Sequence, residues 1–174
     1  VFRDWRDWGV KPDYFRDRGY ETVSVMPAMD ITEWPEGEYF GFTRNVWARE
    51  LDYRGPPYAW SPMPDQYVLL RLQELVLHST ARPVFAEVSM TSSHSPFSQI
   101  PAFHAGDWNS AALNETLATR PPRSSPRIWR TLTPEKYAAA VRYSFRSVAQ
   151  FVAEDYRREG MVIILGDHQA TKAV

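Results

Sequence analysis

The sequence contains no cysteine. A disulfide scaffold and a thiolate metal site are therefore both excluded, while the redox compartment stays open. Long hydrophobic runs are missing too. No stretch approaches the ~18–20 apolar residues of a membrane span. The opening "VFRDWRDWGV" lacks the pattern of a signal peptide. The expectation is a soluble chain. An excess of one charge is also absent, the net charge being -1. Nucleic-acid binders carry a basic excess or patch, so the balance argues against a nucleic-acid partner. Arginine greatly outnumbers lysine. There is no glycine-rich phosphate loop and no serine-centred nucleophile elbow.

What is present is the material of one globular domain. The chain has 174 residues, 44% hydrophobic and 24% charged, which suffices for a core. Three helix–strand repeats are legible. "KPDYFRDRG" reads as a short helix ended by Gly19, and "YETVSVMP" as a strand closed by Pro27. Residues 28–63 hold no clean period, and their Trp, Tyr, Pro and Gly suggest an ordered cover. "PDQYVLLRLQELVLHST" is the second helix, with Asp65 able to cap its start and Val68, Leu72, Leu75 and Val76 on one face. "PVFAEVSM" is the second strand, entered through Pro83. Residues 91–132 read as a surface loop. The third helix starts at the N-cap Thr133 with Pro134 and Glu135 in its first turn. Its period places Phe145, Val148 and Val152 toward the sheet, and Arg142, Arg146 and Glu154 toward water. Gly160 ends it, and "MVIIL" follows as the third strand. Alternating helices and apolar strands imply an α/β layered fold with a mainly parallel sheet flanked by helices.

In such sheets ligands gather at the carboxyl ends of strands, which directs attention to "MTSSHSPF" and "GDHQ". Adjacent residues on a continuing strand point to opposite faces. Gly166 permits a turn after which Asp167 and His168 converge, and a carboxylate with a neutral imidazole suits Zn²⁺ or Mn²⁺. The plainer alternative makes Asp167 a helix cap and His168 a surface residue. His94 lies among Ser92, Ser93 and Ser95, whose hydroxyls suit an anion; its alternative is an ordinary polar loop residue. His104 in "PAFHAGDW" fits a packed loop, and His78 fits a helix C-terminus. The aromatics Trp34, Trp47, Tyr53, Tyr58 and Trp60 read as packing, and Asp65 as a helix cap.

Four segments carry a resemblance. "YFRDRGYETVSVMP", "GPPYAWSPMPDQYVLLRL", "PVFAEVSMTSSHSPF" and "YSFRSVAQFVAEDYRREGMVIILGDHQ" are similar, in order and spacing, to the carboxyl-terminal part of the alkaline phosphatase superfamily's catalytic domain. The branch resembled is the sulfatase-type group that includes lipoteichoic acid synthases and phosphoglycerol or phosphoethanolamine transferases. The resemblance covers most of the chain, and residues 99–132 add nothing to it.

The resemblance implies an alkaline-phosphatase-like but incomplete fold, with residues 1–174 as one domain, the carboxyl-terminal portion of a sulfatase-like unit. It implies a divalent metal (Mn²⁺, Zn²⁺, Mg²⁺ or Ca²⁺) on Asp167 and His168, and a substrate phosphate or headgroup at His94. The family's nucleophile and an acidic metal ligand come earlier in the domain, and neither is identifiable here. The start at Val1 and the end shortly after "GDH" fit a piece of a larger protein. The implied substrate is a phosphate or sulfate ester, possibly lipid-linked. A membrane would be met only through segments absent here, as in an extracytoplasmic domain of a bacterial membrane-anchored protein. The competing readings are a noncatalytic relative serving as a binding or membrane-complex module, and an unrelated α/β domain with an accidental "GDH".

Overall fold

The structure is a computed structural model that describes residues 11–30, 40–106, 109–118, 133–155 and 160–166. Among the described residues the elements in chain order include α1 (Lys11–Arg16), β1 (Glu21–Met26), β2 (Arg44–Trp47), α2 (Asp65–Leu72), β3 (Val84–Val88), α3 (Ser110–Ala118) and α4 (Pro134–Gln150). Helix α2 continues into a π-helical turn, Gln73–Leu77, and α4 into another, Phe151–Asp155. The chain forms two compact units. One contains the residues up to Tyr53 together with Arg71–Ser89, and the other Arg54–Leu70 together with the residues from Met90 onward.

The first unit holds the sheet. Its order is β2-β1-β3, and both pairings are parallel. The fold class is therefore α/β with a parallel sheet and helices between strands, as expected. Strand β1 is central, and its residues Thr22, Val23, Ser24 and Val25 are all buried. Thr22 and Ser24 alternate with Val23 and Val25 in sequence, yet all four are buried, as in a strand covered on both faces. Register with β2 runs Val23 to Arg44 and Val25 to Val46; with β3 it runs Val23 to Ala86 and Val25 to Val88. Helix α1 joins the sheet through Phe15, whose ring stacks on Phe85 at 4.3 Å. Gly19 follows with φ +85, a left-handed conformation at the helix exit that glycine adopts without a Cβ clash.

Strand β2 lies inside the stretch expected to be irregular. It has four residues, too few for a period to show in the sequence. Its entry is fixed by a threonine pair: Thr22 N–H donates to Thr43 Oγ1 and Thr43 N–H to Thr22 Oγ1, each at 3.0 Å. Arg44 Nη1 donates to the Leu75 carbonyl at 2.8 Å, satisfying an oxygen in the π-helical turn.

The second unit is built from the first turns of α2, the loop after β3, α3 and α4. Helix α3 interrupts the expected 91–132 loop. Its start is set by Asn109, whose Oδ1 accepts from Ala112 N–H at 2.8 Å. Asn114 Nδ2 donates to Tyr67 Oη at 3.0 Å, tying α3 to α2. Helix α4 begins as expected, with the Thr133 side chain accepting from Lys136 N–H and Pro134 in the first turn.

Two expectations are corrected. Phe145 does not face the interior: it is 54% exposed and Val152 41%, whereas Val148 is 7% exposed. The buried residues of α4 are Ala140, Tyr143, Ser144, Ser147, Val148 and Gln150, so its inward face is rich in small and polar side chains. Hydrophobicity alone misplaced that face because Ser144 and Ser147 find hydrogen-bond partners inside. Residues 161–165 are not a strand. They have no regular structure, and Met161 and Leu165 are 82% and 83% exposed. An apolar run becomes a strand only against a partner edge, and no strand pairs with it among the described residues.

Candidate functional site

The candidate site is assembled within the second unit around the loop that follows β3. Its first component is a tight turn. Tyr58 and Ser61 exchange backbone hydrogen bonds, Tyr58 N–H to Ser61 O at 2.8 Å and Ser61 N–H to Tyr58 O at 2.9 Å. Ala59 at the turn has φ 54, a conformation that costs a residue with a Cβ about 1 kcal/mol or more. Its N–H is held by Gln99 Oε1 at 2.8 Å. The turn presents Trp60, which remains 49% exposed.

The second component is the loop itself. Thr91 and Ser92 are buried and His94 is exposed. His94 N–H closes a turn onto Thr91 O at 3.0 Å. The imidazole stacks on the Trp60 ring, with centroids 3.9 Å apart and planes at 21°. Its Nδ1 lies 2.6 Å from Ser95 O. A carbonyl oxygen only accepts, so Nδ1 carries the proton, and Nε2 is left as the acceptor of the neutral ring. Nε2 has no partner among the described residues. Phe97 leaves the loop at φ 55, a second non-glycine residue in the left-handed region. Its ring meets Tyr137 edge to face at 5.3 Å.

The third component is Asp65, at the start of α2 and fully buried. The sequence reading makes it the cap of its own helix; the structure corrects this. Asp65 Oδ1 accepts from Thr91 N–H and from Ser92 N–H, both at 2.8 Å. Oδ2 accepts from Ser144 Oγ of α4 at 2.6 Å. The cap of the helix is Ser92 instead: Asp65 N–H donates to Ser92 Oγ at 2.9 Å. Ser92 is consequently engaged and buried, not a free hydroxyl for an anion. Burial pushes the Asp65 carboxyl above its ordinary range, opposed by the hydrogen bonds from Ser144, Ser92 and Thr91.

Ser61 joins the turn to the loop. Its hydroxyl donates to Met63 O at 2.8 Å. That uses its one proton, so at the 2.7 Å contact between Ser61 Oγ and Thr91 Oγ1 the threonine is the donor. Beside it, Gln66 holds the His104 backbone from both sides, Nε2 donating to His104 O at 2.6 Å and Oε1 accepting from His104 N–H at 3.0 Å. His104 thus serves through its main chain, in keeping with a packed loop. His78 follows the π-helical turn, its N–H donating to Gln73 O at 2.9 Å.

Asp167 and His168 lie outside the described residues, as does Trp34. Among the described residues no three His, Cys, Asp or Glu side chains gather as a metal site, and no helix is long and apolar enough to cross a membrane. The structure brings His94 together with Trp60, Asp65 and Ser144. Sequence reading gave Trp60 to packing and left Ser144 unremarked. The only sequence signal for Ser144 is a small polar residue on the apolar side of a helical period.

No family model matches the chain, and no curated protein does. Two solved structures are similar to it. One is a protein in the alkaline phosphatase superfamily from Vibrio parahaemolyticus, 19% identical, covering 80% of this chain and 29% of that one, with a TM-score of 0.49. The other is the lipoteichoic acid synthase LtaP from Listeria monocytogenes, 16% identical, covering 81% of this chain and 31% of that one, with a TM-score of 0.47. The chain spans less than a third of the length of either. No residue role passes from either protein to this chain.

Proposed function

We propose that the chain is part of a divalent-metal-dependent, sulfatase-like hydrolase or phosphotransferase domain acting on phosphate or sulfate esters, with the nucleophile outside these 174 residues. The observation that carries the reading is His94. It is an exposed imidazole on a loop whose base is buried and hydrogen-bonded, and its Nε2 is unengaged among the described residues. A polar ring presented outward by a fixed backbone suits contact with a ligand better than packing does. An ester's charged oxygens accept hydrogen bonds, so His94 binds them as the imidazolium, with Nε2 donating. Trp60, stacked on the ring, limits its rotation.

In this reading Asp167 and His168 hold the metal. The "GDH" motif and its spacing from "SSHSPF" support that assignment, and a carboxylate oxygen with an imidazole nitrogen is a donor set suited to Mn²⁺ or Zn²⁺. Such a metal supplies Lewis-acid polarisation of an ester oxygen. His94 contributes binding and orientation of the ester's remaining charge. The same reading makes the domain extracytoplasmic and its ester lipid-linked, with any membrane contact made by other segments.

The test is a titration of the chain with glycerol 1-phosphate, phosphoethanolamine and a sulfate monoester, followed through the histidine ring resonances. One of these ligands is expected to shift His94 selectively, and His94→Ala to abolish that binding. Binding unaffected by His94→Ala, or no response to any of the three, would overturn the reading.

A further inference from the structure

We infer that Asp65 and Ser144 are positioning residues for His94, setting the loop height at which its ring lies on Trp60; the inference rests on the reading of His94 as the ester-binding residue. Asp65 is fully buried and belongs to α2, yet its carboxylate accepts its hydrogen bonds from other segments. Oδ1 takes two consecutive N–H groups, those of Thr91 and Ser92, at 2.8 Å each. Two convergent donors on one oxygen fix both the position and the orientation of that peptide segment. The next link is a hydrogen-bonded turn. Thr91 O receives His94 N–H at 3.0 Å, so the turn bearing the imidazole is referenced to the residue Asp65 holds.

Ser144 completes the bracket from α4. Its Oγ donates to Oδ2 at 2.6 Å, which sets the rotation of the carboxylate plane. Ser92 returns a bond to Asp65 N–H at 2.9 Å, and Thr91 Oγ1 donates to Ser61 Oγ at 2.7 Å. Ser61 closes the turn that carries Trp60. Both partners of the stack are therefore referenced to Thr91 and Ser92, and through them to one buried carboxylate. The strained Ala59 and Phe97 flank this arrangement. Backbone strain of that kind persists only where surrounding bonds over-determine the geometry, and the Asp65 bracket is such a set of bonds. A burial role alone does not require a carboxylate here, because an apolar side chain would avoid the desolvation that raises its pKa.

Asn at position 65 can reproduce the bracket: its oxygen accepts both N–H groups and its amide donates to Ser144 Oγ. Alanine cannot. The experiment compares Asp65→Asn, Asp65→Ala, Ser144→Ala, Trp60→Ala and His94→Ala in the full 174-residue chain. It reads the His94 ring resonance, displaced by the Trp60 ring, and the affinity for glycerol 1-phosphate. Trp60→Ala defines the unstacked resonance. Asp65→Ala is expected to move His94 to that position and to weaken binding at least tenfold, with Asp65→Asn restoring both. Ser144→Ala is expected to move the resonance part of the way, and it decides the matter if Asp65→Ala does not fold. Either alanine variant, folded by circular dichroism and with the wild-type His94 resonance, would overturn the inference. If His94→Ala leaves binding unchanged, the ester reading fails, while the resonance still decides whether Asp65 positions the ring.

Discussion

Asp65 shows how a single side chain can be visible in a sequence and still be misassigned. An acidic residue after proline at the start of an apolar helical period is a standard N-terminal signal, and the helix does start there. What the sequence does not contain is the distance to Thr91, Ser92 and Ser144, which approach only through tertiary folding. Two consequences are measurable. Asp65→Ala leaves two buried N–H groups without an acceptor and should cost about 2–4 kcal/mol of unfolding free energy, read from urea denaturation. A loss indistinguishable from zero contradicts the bracket. The pH dependence has a definite sign. The folded-state pKa of Asp65 is raised above 3.8, so above that value the folded chain keeps a proton the unfolded chain has lost. Its contribution to stability is therefore greatest below the unfolded pKa and declines as pH rises toward the folded one. Asp65→Asn removes this slope. Relative to wild type it should gain stability as pH rises above the unfolded value of 3.8 toward the raised folded one, and a relative loss on that rise contradicts the assignment.

At the scale of elements, β1, β3 and α4 are located by local signals, whereas short or polar patterns and the apolar run at 161–165 are not. Strand β1 with its closing Pro27, β3 after Pro83, and α4 with Thr133 and Pro134 carry local signals strong enough to locate them. Strand β2 has four residues, and α3 announces itself only by Asn109. The inward face of α4 was misread because Ser144, Ser147 and Gln150 are buried by hydrogen bonding, which a hydrophobic period cannot register. The two accounts of α4 differ by a substitution pair. Phe145→Ala should change stability by less than about 0.5 kcal/mol, as exposed sites do, while Phe151→Ala, at a buried position, should cost about 3–5 kcal/mol. Equal costs would restore the face expected from the period. Thr133→Ala should cost about 0.5–1 kcal/mol through the lost cap. The cap bond is long, at 3.4 Å, so a larger loss would mean that Thr133 does more than cap.

For the whole molecule, the sequence resemblance implies a function, and the described residues include the loop that carries His94. The proposed metal ligands Asp167 and His168 are legible only as the motif "GDH" beyond residues 161–165, a run that is exposed. An uncharged, β-branched apolar run without proline is a self-association hazard. Ile163→Lys should therefore lower the concentration-dependent mass seen in sedimentation; an unchanged mass contradicts this. Two candidate ligands fall short of the three that a catalytic zinc site usually supplies, so the chain should bind metal weakly and turn over no chromogenic phosphodiester. The central claim is that His94 and the Asp167–His168 pair serve one site. It is tested most directly by adding Mn²⁺ to the chain and observing paramagnetic broadening of the histidine ring resonances. The account predicts that His168 and His94 broaden first, ahead of His78, and that Asp167→Ala abolishes the effect on His94. Broadening of His168 that leaves His94 as sharp as His78 would contradict it.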